Sequence, residues 1–373
     1  MTIRKYPLPG VRKIAVLRAN ALGDYVFTIP ALDALKATFP EAEVVLLGKA
    51  WHRDFLAARP GPVDRVVVLP KCNGVPHEAD RVEDPEAVDA FFADMRAEHF
   101  DIALQMHGGG GNSNPLVSAL GARLTAGLRA DGAPPLDINI PYVFYHNEVL
   151  RYLEVVGSVG AVPTSVTPEL AVTAMDRQAL TDEMPALQQP YVVLHPGATD
   201  IRRRWPLEKM TALAGILAAR GLAVYVTGVA EESAAVAKVA SGANENIHDL
   251  CGKLSLPGML ALLKSADLLV SNDTGPLHLA RAVGTATIGI YWVGNMINGG
   301  PMNVRNHRCA MSWTTHCPLC GMDCIANDAH VPRDGCMHDE SFVDGVSVDE
   351  ISAHAEALLN LPGVTATFRS AQA

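Results

Sequence analysis

The stretch "DLLVSNDTGPLHLA", Asp267–Ala280, is the clearest indication of the fold class. An apolar run typical of a buried strand ends in Ser-Asn-Asp-Thr-Gly-Pro, and a helix is predicted to follow at once because Pro276 suits a first helical turn. A strand that leads directly into a helix is the repeating unit of parallel α/β sheets. The exposed amides and the dipole of such a helix start favour a bound anion. The simpler interpretation is that Asp273 only caps the helix.

The same alternation of strand and helix runs through the chain twice. A segment rich in proline and small polar residues, 160–172, separates the two rounds and predicts a linker. We therefore predict an α/β protein with two Rossmann-like, doubly wound domains facing a cleft, and ligands at the carboxyl ends of the strands. The predicted strands lie within residues 13–18, 42–48, 65–70, 101–106 and 123–128 of the first round and 191–197, 222–228, 246–252, 267–273 and 285–292 of the second.

The composition excludes several classes of protein. The chain has 373 residues, 49% of them hydrophobic and 19% charged, which is typical of a folded protein with two domains. Its net charge of −10 argues against nucleic-acid binding and against a polybasic membrane anchor. No apolar run approaches the length of a transmembrane segment, and Arg18 interrupts the first one, so neither a membrane span nor a secretion signal is expected. We expect a cytoplasmic protein with reduced thiols.

Polar residues follow the predicted strands in both halves. Asp24 stands in "RANALGDYVFTIPAL" after the first strand, where it is either a helix cap or a reactive carboxylate. Three arginines, residues 202–204, stand in "HPGATDIRRRWP". They are either solvated surface or a phosphate site, and the latter competes because the protein is otherwise acidic. His278 lies one turn after Thr274 and is either packed or part of the same site.

A glycine-rich stretch, "QMHGGGGNSNPL" from Gln105, follows the fourth predicted strand. Four glycines permit the backbone to approach a ligand closely, although they are also typical of a flexible loop. We assign His107 and Asn112 a role in binding an acceptor substrate.

The segments "LRANALGDYVFTIPALDALKATFPEAEVVLL", "LHPGATDIRRRWPLEKMTALA" and "LLVSNDTGPLHLARAVGTATIGIY" together resemble glycosyltransferase family 9, the heptosyltransferases of lipopolysaccharide core assembly. The resemblance covers most of the chain and implies the GT-B fold. It implies an acceptor domain at 1–165, a nucleotide-sugar donor domain with a cysteine-rich loop at 166–345, and a C-terminal helix and tail at 346–373.

The resemblance also implies an activity. Family members transfer a sugar from a nucleotide diphosphate donor with inversion and without a divalent metal or other cofactor. We expect ADP-heptose as the donor, lipopolysaccharide or a related glycan or lipid-linked acceptor, and possible peripheral association with the inner membrane. Asp24 matches the general base. The donor site is implied to contain basic residues before Trp-Pro, an acid that binds the ribose, and the helix-start loop: Arg203, Arg204, Glu231 or Glu232, Asp273, Thr274, Gly275 and His278.

Four of the seven cysteines crowd into one segment near the C-terminus. Cys317 and Cys320 have the Cys-x-x-Cys spacing of a zinc knuckle, whereas Cys324 and Cys336 lack it. The histidines that could substitute are His316, His330 and His338. The segment predicts either a structural zinc or iron site without a catalytic role, or free or disulfide-bonded thiols.

Features of the sequence bear on four functions other than glycosyl transfer. A hydrolase is suggested by "HGGGG", but the chain lacks a Gly-x-Ser-x-Gly elbow. A dehydrogenase would need Gly-x-Gly-x-x-Gly after the first strand, which is also missing. A GT-B epimerase acting on a sugar nucleotide and a non-catalytic sugar-nucleotide binding protein remain alternatives.

Overall fold

A computed structural model describes residues 8–73, 84–241, 244–325, 336 and 338–360. The chain divides into two compact units, residues 1–171 and 172–373. The division falls at the end of the predicted linker, slightly after the boundary that we placed at residue 165. The last helix, residues 348–359, packs within the second unit.

The first unit contains a six-stranded parallel sheet in the order β3-β2-β1-β4-β5-β6. The order reverses between β1 and β4, and this reversal creates a crevice at their carboxyl ends. Helices cover the sheet, and α1 packs against α5. The elements are β1 Lys13–Leu17, α1 Leu22–Thr38, β2 Glu43–Gly48, α2 Ala50–Leu56, β3 Arg65–Val68, α3 Pro85–Ala97, β4 Ile102–Gln105, α4 Ser113–Ala119, β5 Leu124–Arg129, β6 Ile138–Pro141 and α5 Glu148–Ser158.

The second unit repeats this architecture with a parallel sheet in the order β12-β11-β10-β7-β8-β9. Here the order reverses between β7 and β10. The elements are α6 Ala174–Glu183, β7 Tyr191–His195, α7 Leu207–Ala219, β8 Ala223–Val226, α8 Ser233–Ala240, β9 Ile247–Asp249, α9 Leu256–Ser265, β10 Leu268–Asn272, α10 Gly275–Ala282, β11 Thr287–Trp292, α11 Val293–Gly299, β12 His307–Ser312 and α12 Val348–Leu359.

The strands form because short β-branched and aliphatic runs are buried on both faces of each sheet. Ile14, Val45 and Leu104 of the first sheet are fully buried, as are Val192 and Val270 of the second. The confirmed prediction of two doubly wound α/β units follows from these runs. All ten predicted strands are present.

Capping residues set the starts of several helices. The carboxylate of Asp84 accepts hydrogen bonds from two amides of α3, and the hydroxyl of Ser255 accepts one from the first turn of α9. Ser347 caps α12 in the same way. These bonds satisfy amides that have no partner inside the helix. Within the described part of the chain, no helix combines the length and the apolar character that crossing a bilayer requires.

Candidate functional site

Two loops of the second unit meet where its sheet reverses order. One follows β7 and the other follows β10, and the two strands are neighbours in the sheet. Asn272, fully buried at the end of β10, joins the loops. Its side chain accepts a hydrogen bond from the Trp205 amide at 3.0 Å and donates to the carbonyls of Pro196 at 2.7 Å and Gly197 at 3.2 Å. Asn272 therefore fixes both ends of the loop that carries the arginines, a role that the sequence did not reveal.

The three arginines have different environments. Arg202 is paired with Asp200, with nitrogen–oxygen distances of 2.8 and 3.0 Å, so its charge is balanced. Arg204 donates its Nε hydrogen to the Ala198 carbonyl at 2.8 Å. Arg203 points to the start of α10, where its Nη1 lies 3.4 Å from the Asp273 carbonyl oxygen and 3.5 Å from Oδ2.

The Nε of Arg203 is buried and has no hydrogen-bond partner among the residues that the structure describes. Burying an N–H of a charged group without an acceptor costs free energy, and native proteins rarely do so. A bound anion would supply the missing acceptor.

The helix start beside Arg203 is arranged as the sequence predicts, with one difference. The residue at the N-cap position of α10 is Thr274 and not Asp273, and the Thr274 side chain makes no capping hydrogen bond. The buried Asp273 carboxylate instead lies 3.1 Å from Nε2 of His278. Burial alone would raise the pKa of Asp273, but the hydrogen bond from His278 and the charge of Arg203 lower it overall. Gly275 begins the helix, and its half-buried amide can donate to a phosphate oxygen. Pro276 has no amide hydrogen, and the Leu277 amide donates to the Thr274 carbonyl at 3.1 Å.

Glu231 and Glu232, between which the sequence did not decide, are distinguished by the structure. Glu231 is exposed. The side chain of Glu232 is only 12% exposed, and its Oε2 accepts the Val229 amide at 3.0 Å. A Cβ atom on Gly197 would lie 1.9 Å from Oε1 of Glu232, so the carboxylate occupies space that only glycine leaves open.

A buried histidine, to which the sequence analysis assigns no role, adjoins Glu232. His195 ends β7, with Nδ1 at 3.1 Å from the Thr227 hydroxyl and Nε2 at 3.9 Å from Oε2 of Glu232. Burial lowers the pKa of His195. The neutral ring therefore packs beside the carboxylate at the end of the strand.

In the first unit, Asp24 lies in the first turn of α1 at the end of β1. It is not the capping residue, which is Ala21, but its Oδ2 accepts the Ala21 amide at 3.0 Å. Its Oδ1 accepts a hydrogen bond from Nη2 of Arg18 at 2.8 Å. The side chain stays 34% exposed. The carboxylate is thus fixed in orientation and still accessible.

Arg18, which orients Asp24, belongs to a buried charged network. It is 2% exposed, and it also donates to the Met106 carbonyl at 2.6 Å. Its Nη2 lies 3.9 Å from Glu148, which in turn pairs with Arg151 and accepts the Tyr152 hydroxyl. These groups come from β1, the β4 end and α5, so only the fold brings them together.

The two predicted acceptor residues, His107 and Asn112, differ in burial. His107 is buried, and its Nδ1 accepts the Ala19 amide at 3.2 Å, so its hydrogen is on Nε2. Asn112 is exposed before α4. Gly110 has φ +90°, and a Cβ there would lie 2.6 Å from the Leu128 carbonyl oxygen. Close packing against β5, and not only flexibility, therefore explains that glycine.

Three of the four predicted cysteine ligands converge with a histidine. One ligand atom from each of Cys317, Cys320, Cys336 and His338 lies within 4.8 Å of the others, and we call these residues the metal-ligand group. Cys324 is not in the group, because its thiol donates to the Met322 carbonyl at 3.3 Å. His338 therefore replaces Cys324 in the predicted set.

The other candidate histidines do not join the metal-ligand group. The His316 ring contacts the Thr315 hydroxyl, and His330 lies outside the described residues. None of the seven cysteines forms a disulfide in the described chain.

The distances in the metal-ligand group fit a tetrahedral metal. The sulfurs of Cys320 and Cys336 are 3.8 Å apart, and Nδ1 of His338 is 3.5 Å from the sulfurs of Cys317 and Cys336. Bond lengths typical of zinc give tetrahedral edges of about 3.8 Å between sulfurs and about 3.5 Å between sulfur and nitrogen. The hydrogen bond from the Cys320 amide lowers the pKa of the Cys317 thiol to about 6, which favours the thiolate that metals bind.

Comparisons with known proteins agree with this architecture. The model of glycosyltransferase family 9 (heptosyltransferase) matches residues 88–329. Lipopolysaccharide core heptosyltransferase OpsX of Haemophilus influenzae is 21% identical over 304 residues, which are 78% of this chain and 82% of that protein.

Two solved structures share the fold. The E. coli ADP-heptose lipopolysaccharide heptosyltransferase II superposes with a TM-score of 0.71 at 18% identity, covering 93% of this chain and 98% of that one. The dodecameric iron-containing heptosyltransferase TibC, solved in complex with ADP-D-β-D-heptose, gives a TM-score of 0.53 at 13% identity. It covers 95% of this chain and 77% of that one. These likenesses confirm the predicted fold class.

Proposed function

The chain belongs to glycosyltransferase family 9, the heptosyltransferase family, and on that premise we propose that it transfers heptose from ADP-heptose to a lipopolysaccharide or related glycan acceptor. Two structural relatives are named for ADP-heptose, which supports this donor. We assign donor binding to the second unit and acceptor binding to the first. The observation that carries the proposal is the buried Nε of Arg203, which has no hydrogen-bond partner among the described residues and lies beside the start of α10, where the Thr274 side chain makes no capping hydrogen bond.

The pyrophosphate of the donor is held by Arg203 and by the amides of Thr274 and Gly275 at the start of α10. Both are positive groups on fixed backbone, and neither needs to move to meet the anion. Asp273 already balances part of the Arg203 charge, and His278 holds Asp273 in place. Asp273, Thr274 and Gly275 then contact the diphosphate and the transferred sugar, while Arg204 supports the loop through Ala198.

Glu232 binds the ribose hydroxyls of the nucleotide. Its carboxylate lies at the ends of β7 and β8 and is fixed by the Val229 amide. A carboxylate with free lone pairs can accept hydrogen bonds from two neighbouring hydroxyls. Glu231 is exposed to solvent and takes no part.

Asp24 removes the proton from the acceptor hydroxyl. The oxygen attacks the anomeric carbon as the bond from that carbon to the diphosphate oxygen breaks, and the proton passes to Asp24. A single displacement of this kind inverts the configuration at that carbon. Negative charge grows on the departing diphosphate, where Arg203 and the α10 amides stabilise it without a divalent ion. His107 and Asn112 contact the acceptor.

The metal-ligand group holds a structural zinc or iron ion outside the reaction. Its three sulfurs and one nitrogen suit either ion, and the related TibC is described as containing iron. The ion would join the loop of Cys317 and Cys320 to the segment of Cys336 and His338.

Incubation with a panel of nucleotide sugars tests the proposal. Each sugar is supplied with and without lipopolysaccharide from cells that lack this protein, and released nucleotide diphosphate is measured. We expect ADP release from ADP-heptose only when the acceptor is present, together with a product heavier by one heptose. Conversion of the donor without an acceptor would instead identify an epimerase, and no conversion of any sugar would contradict transfer.

A further inference from the structure

The segment that follows the metal-ligand group contacts the arginine run. We call residues 339–347 the connector; they lie between His338 and α12. The Phe342 amide donates to the Arg202 carbonyl at 2.7 Å, and the Ser341 hydroxyl donates to the Arg204 carbonyl at 2.7 Å. The backbone on both sides of Arg203 is therefore held by two adjacent connector residues.

Side-chain contacts extend this connection to the metal-ligand group. The ring of Phe342 packs with Cys317 and Cys336 in a small buried cluster. The centre of the same ring lies 5.6 Å from the guanidinium carbon of Arg202. Phe342 thus touches ligands of the metal-ligand group and the arginine run at once.

The connector is also tied down further along. The Trp205 indole donates to the Val346 carbonyl at 3.0 Å, and Trp205 is fully buried. The far end of the connector is held by this bond and by α12. Its near end directly follows His338. The conformation of residues 339–342 therefore depends on whether the side chains of Cys336 and His338 are fixed by a metal.

We propose that metal binding at Cys317, Cys320, Cys336 and His338 positions Arg203 through the connector, so that affinity for the nucleotide diphosphate depends on the bound metal. This inference rests on the proposed donor site and metal site. With a metal in place, the two ligand loops are joined and Phe342 and Ser341 are fixed against the arginine run. Without it, three sulfur ligands and a histidine have no common partner, and the near end of the connector loses its anchor. Arg203 then has to be ordered by the ligand itself, and that ordering weakens binding.

The test measures ADP affinity by calorimetry on the whole chain, loaded with either Zn²⁺ or Fe²⁺ and then stripped with a chelator. We expect stripping to weaken ADP binding about 10-fold to 100-fold, the range for losing a hydrogen bond to a charged group. Cys320→Ser should lower the metal content and weaken ADP to the same extent. Cys324→Ser is the matched control, because Cys324 is outside the metal-ligand group, and it should retain both metal and ADP affinity.

A double-mutant cycle assigns the effect to Arg203. Arg203→Ala should weaken ADP binding in the loaded protein, and stripping this variant should then add less than about a twofold loss, because coupled sites are not additive. Ser341→Ala leaves all four ligands in place. It should keep the metal and weaken ADP about 2-fold to 10-fold, which addresses the connector even if Cys320→Ser folds poorly.

The outcomes separate this inference from the proposed function. If loaded and stripped protein bind ADP equally while Arg203→Ala weakens binding, the coupling is wrong and the donor site stands. If Arg203→Ala leaves ADP affinity unchanged, the donor site itself is wrong. If neither Zn²⁺ nor Fe²⁺ binds, the proposed metal site and the proposed coupling are both wrong. The ADP affinity of Arg203→Ala then still tests the donor site.

Discussion

Single residues in this protein take their roles from their surroundings more than from their type. Glu231 and Glu232 are neighbours of identical chemistry, yet one faces solvent and the other packs over Gly197 beside His195. The same contrast separates Arg202, which Asp200 neutralises, from Arg203, whose Nε is buried without a partner in the described chain. Burial and orientation therefore distinguish Glu232 and Arg203, the members of each set to which we assign donor binding.

The two glutamates give a matched pair of variants. We expect Glu232→Gln to raise the KM for the nucleotide sugar about 10-fold to 100-fold, because it weakens charge-assisted hydrogen bonds to the ribose. Glu231→Gln should leave the KM within about twofold of the wild type. Initial-rate kinetics with varied donor concentration measure both. Equal effects of the two substitutions would contradict the assignment.

At the scale of secondary-structure elements, the edge strand β12 shows how contacts with a neighbouring strand set the protonation state of a histidine. In β12, His307 lies beside Thr287 of β11, and its Nδ1 is 2.9 Å from the threonine hydroxyl. Burial and the nearby charges of Arg281 and Arg308 lower the pKa of His307 to about 4. The strand therefore holds a neutral histidine in its native state.

This histidine predicts a pH dependence of stability. Between about pH 6.5 and pH 4 the unfolded chain takes up a proton on His307 that the native protein does not bind, so the free energy of unfolding falls as pH falls. His307→Gln lacks this proton, and we expect its stability to decline less over the same window. Urea unfolding of both proteins at pH 7 and pH 4.5 measures the difference. A parallel decline would show that His307 titrates normally in the native state.

The strands and helices that the sequence predicts are those with strong local patterns. Continuous aliphatic runs such as those of β2 and β10 identify these segments as strands, because both faces of a strand in a parallel sheet are covered. The edge strands β6 and β12 were missed, since "INIP" ends in proline and "HRCAMS" is half polar. Because edge strands bury less apolar surface, the run of apolar residues that would indicate a strand is weaker in them.

The site was predictable only where a residue lies next to a strand end in the sequence. Asp24 and the loop at 273–275 follow strands directly, so topology alone places them at the ligand-binding edge. Glu148 contacts Arg18 from a helix far along the chain, and no local sequence pattern indicates this contact. Spacing likewise could not show that His338 joins the cysteines while the Cys324 thiol donates to the Met322 carbonyl.

At the scale of the whole molecule, two units of similar topology carry different polar groups at their strand ends. Each has its own six-stranded sheet and its own core, and each places polar residues where its strand order reverses. The first unit offers a carboxylate held by an arginine, and the second offers an arginine beside a helix start. One arrangement suits proton transfer and the other suits an anion.

This division predicts where ADP acts. On adding saturating ADP, we expect amide hydrogen exchange to slow at residues 195–206, 228–232 and 272–278 of the second unit, because a ligand protects the segments that it contacts. Exchange at the strand ends of the first unit, including residues 18–24 and 105–112, should change little. Protection confined to the first unit would reverse the assignment of donor and acceptor roles.

The most direct test of the account is the effect of Asp24→Asn on turnover and on ADP affinity, measured on the same preparation. Asp89→Asn, at an exposed position of α3, serves as the control. We predict that Asp24→Asn lowers kcat about 100-fold to 10,000-fold, the contribution of a general base, while the Kd for ADP stays within about twofold. Turnover of Asp24→Asn close to that of the wild type would contradict the proposed mechanism.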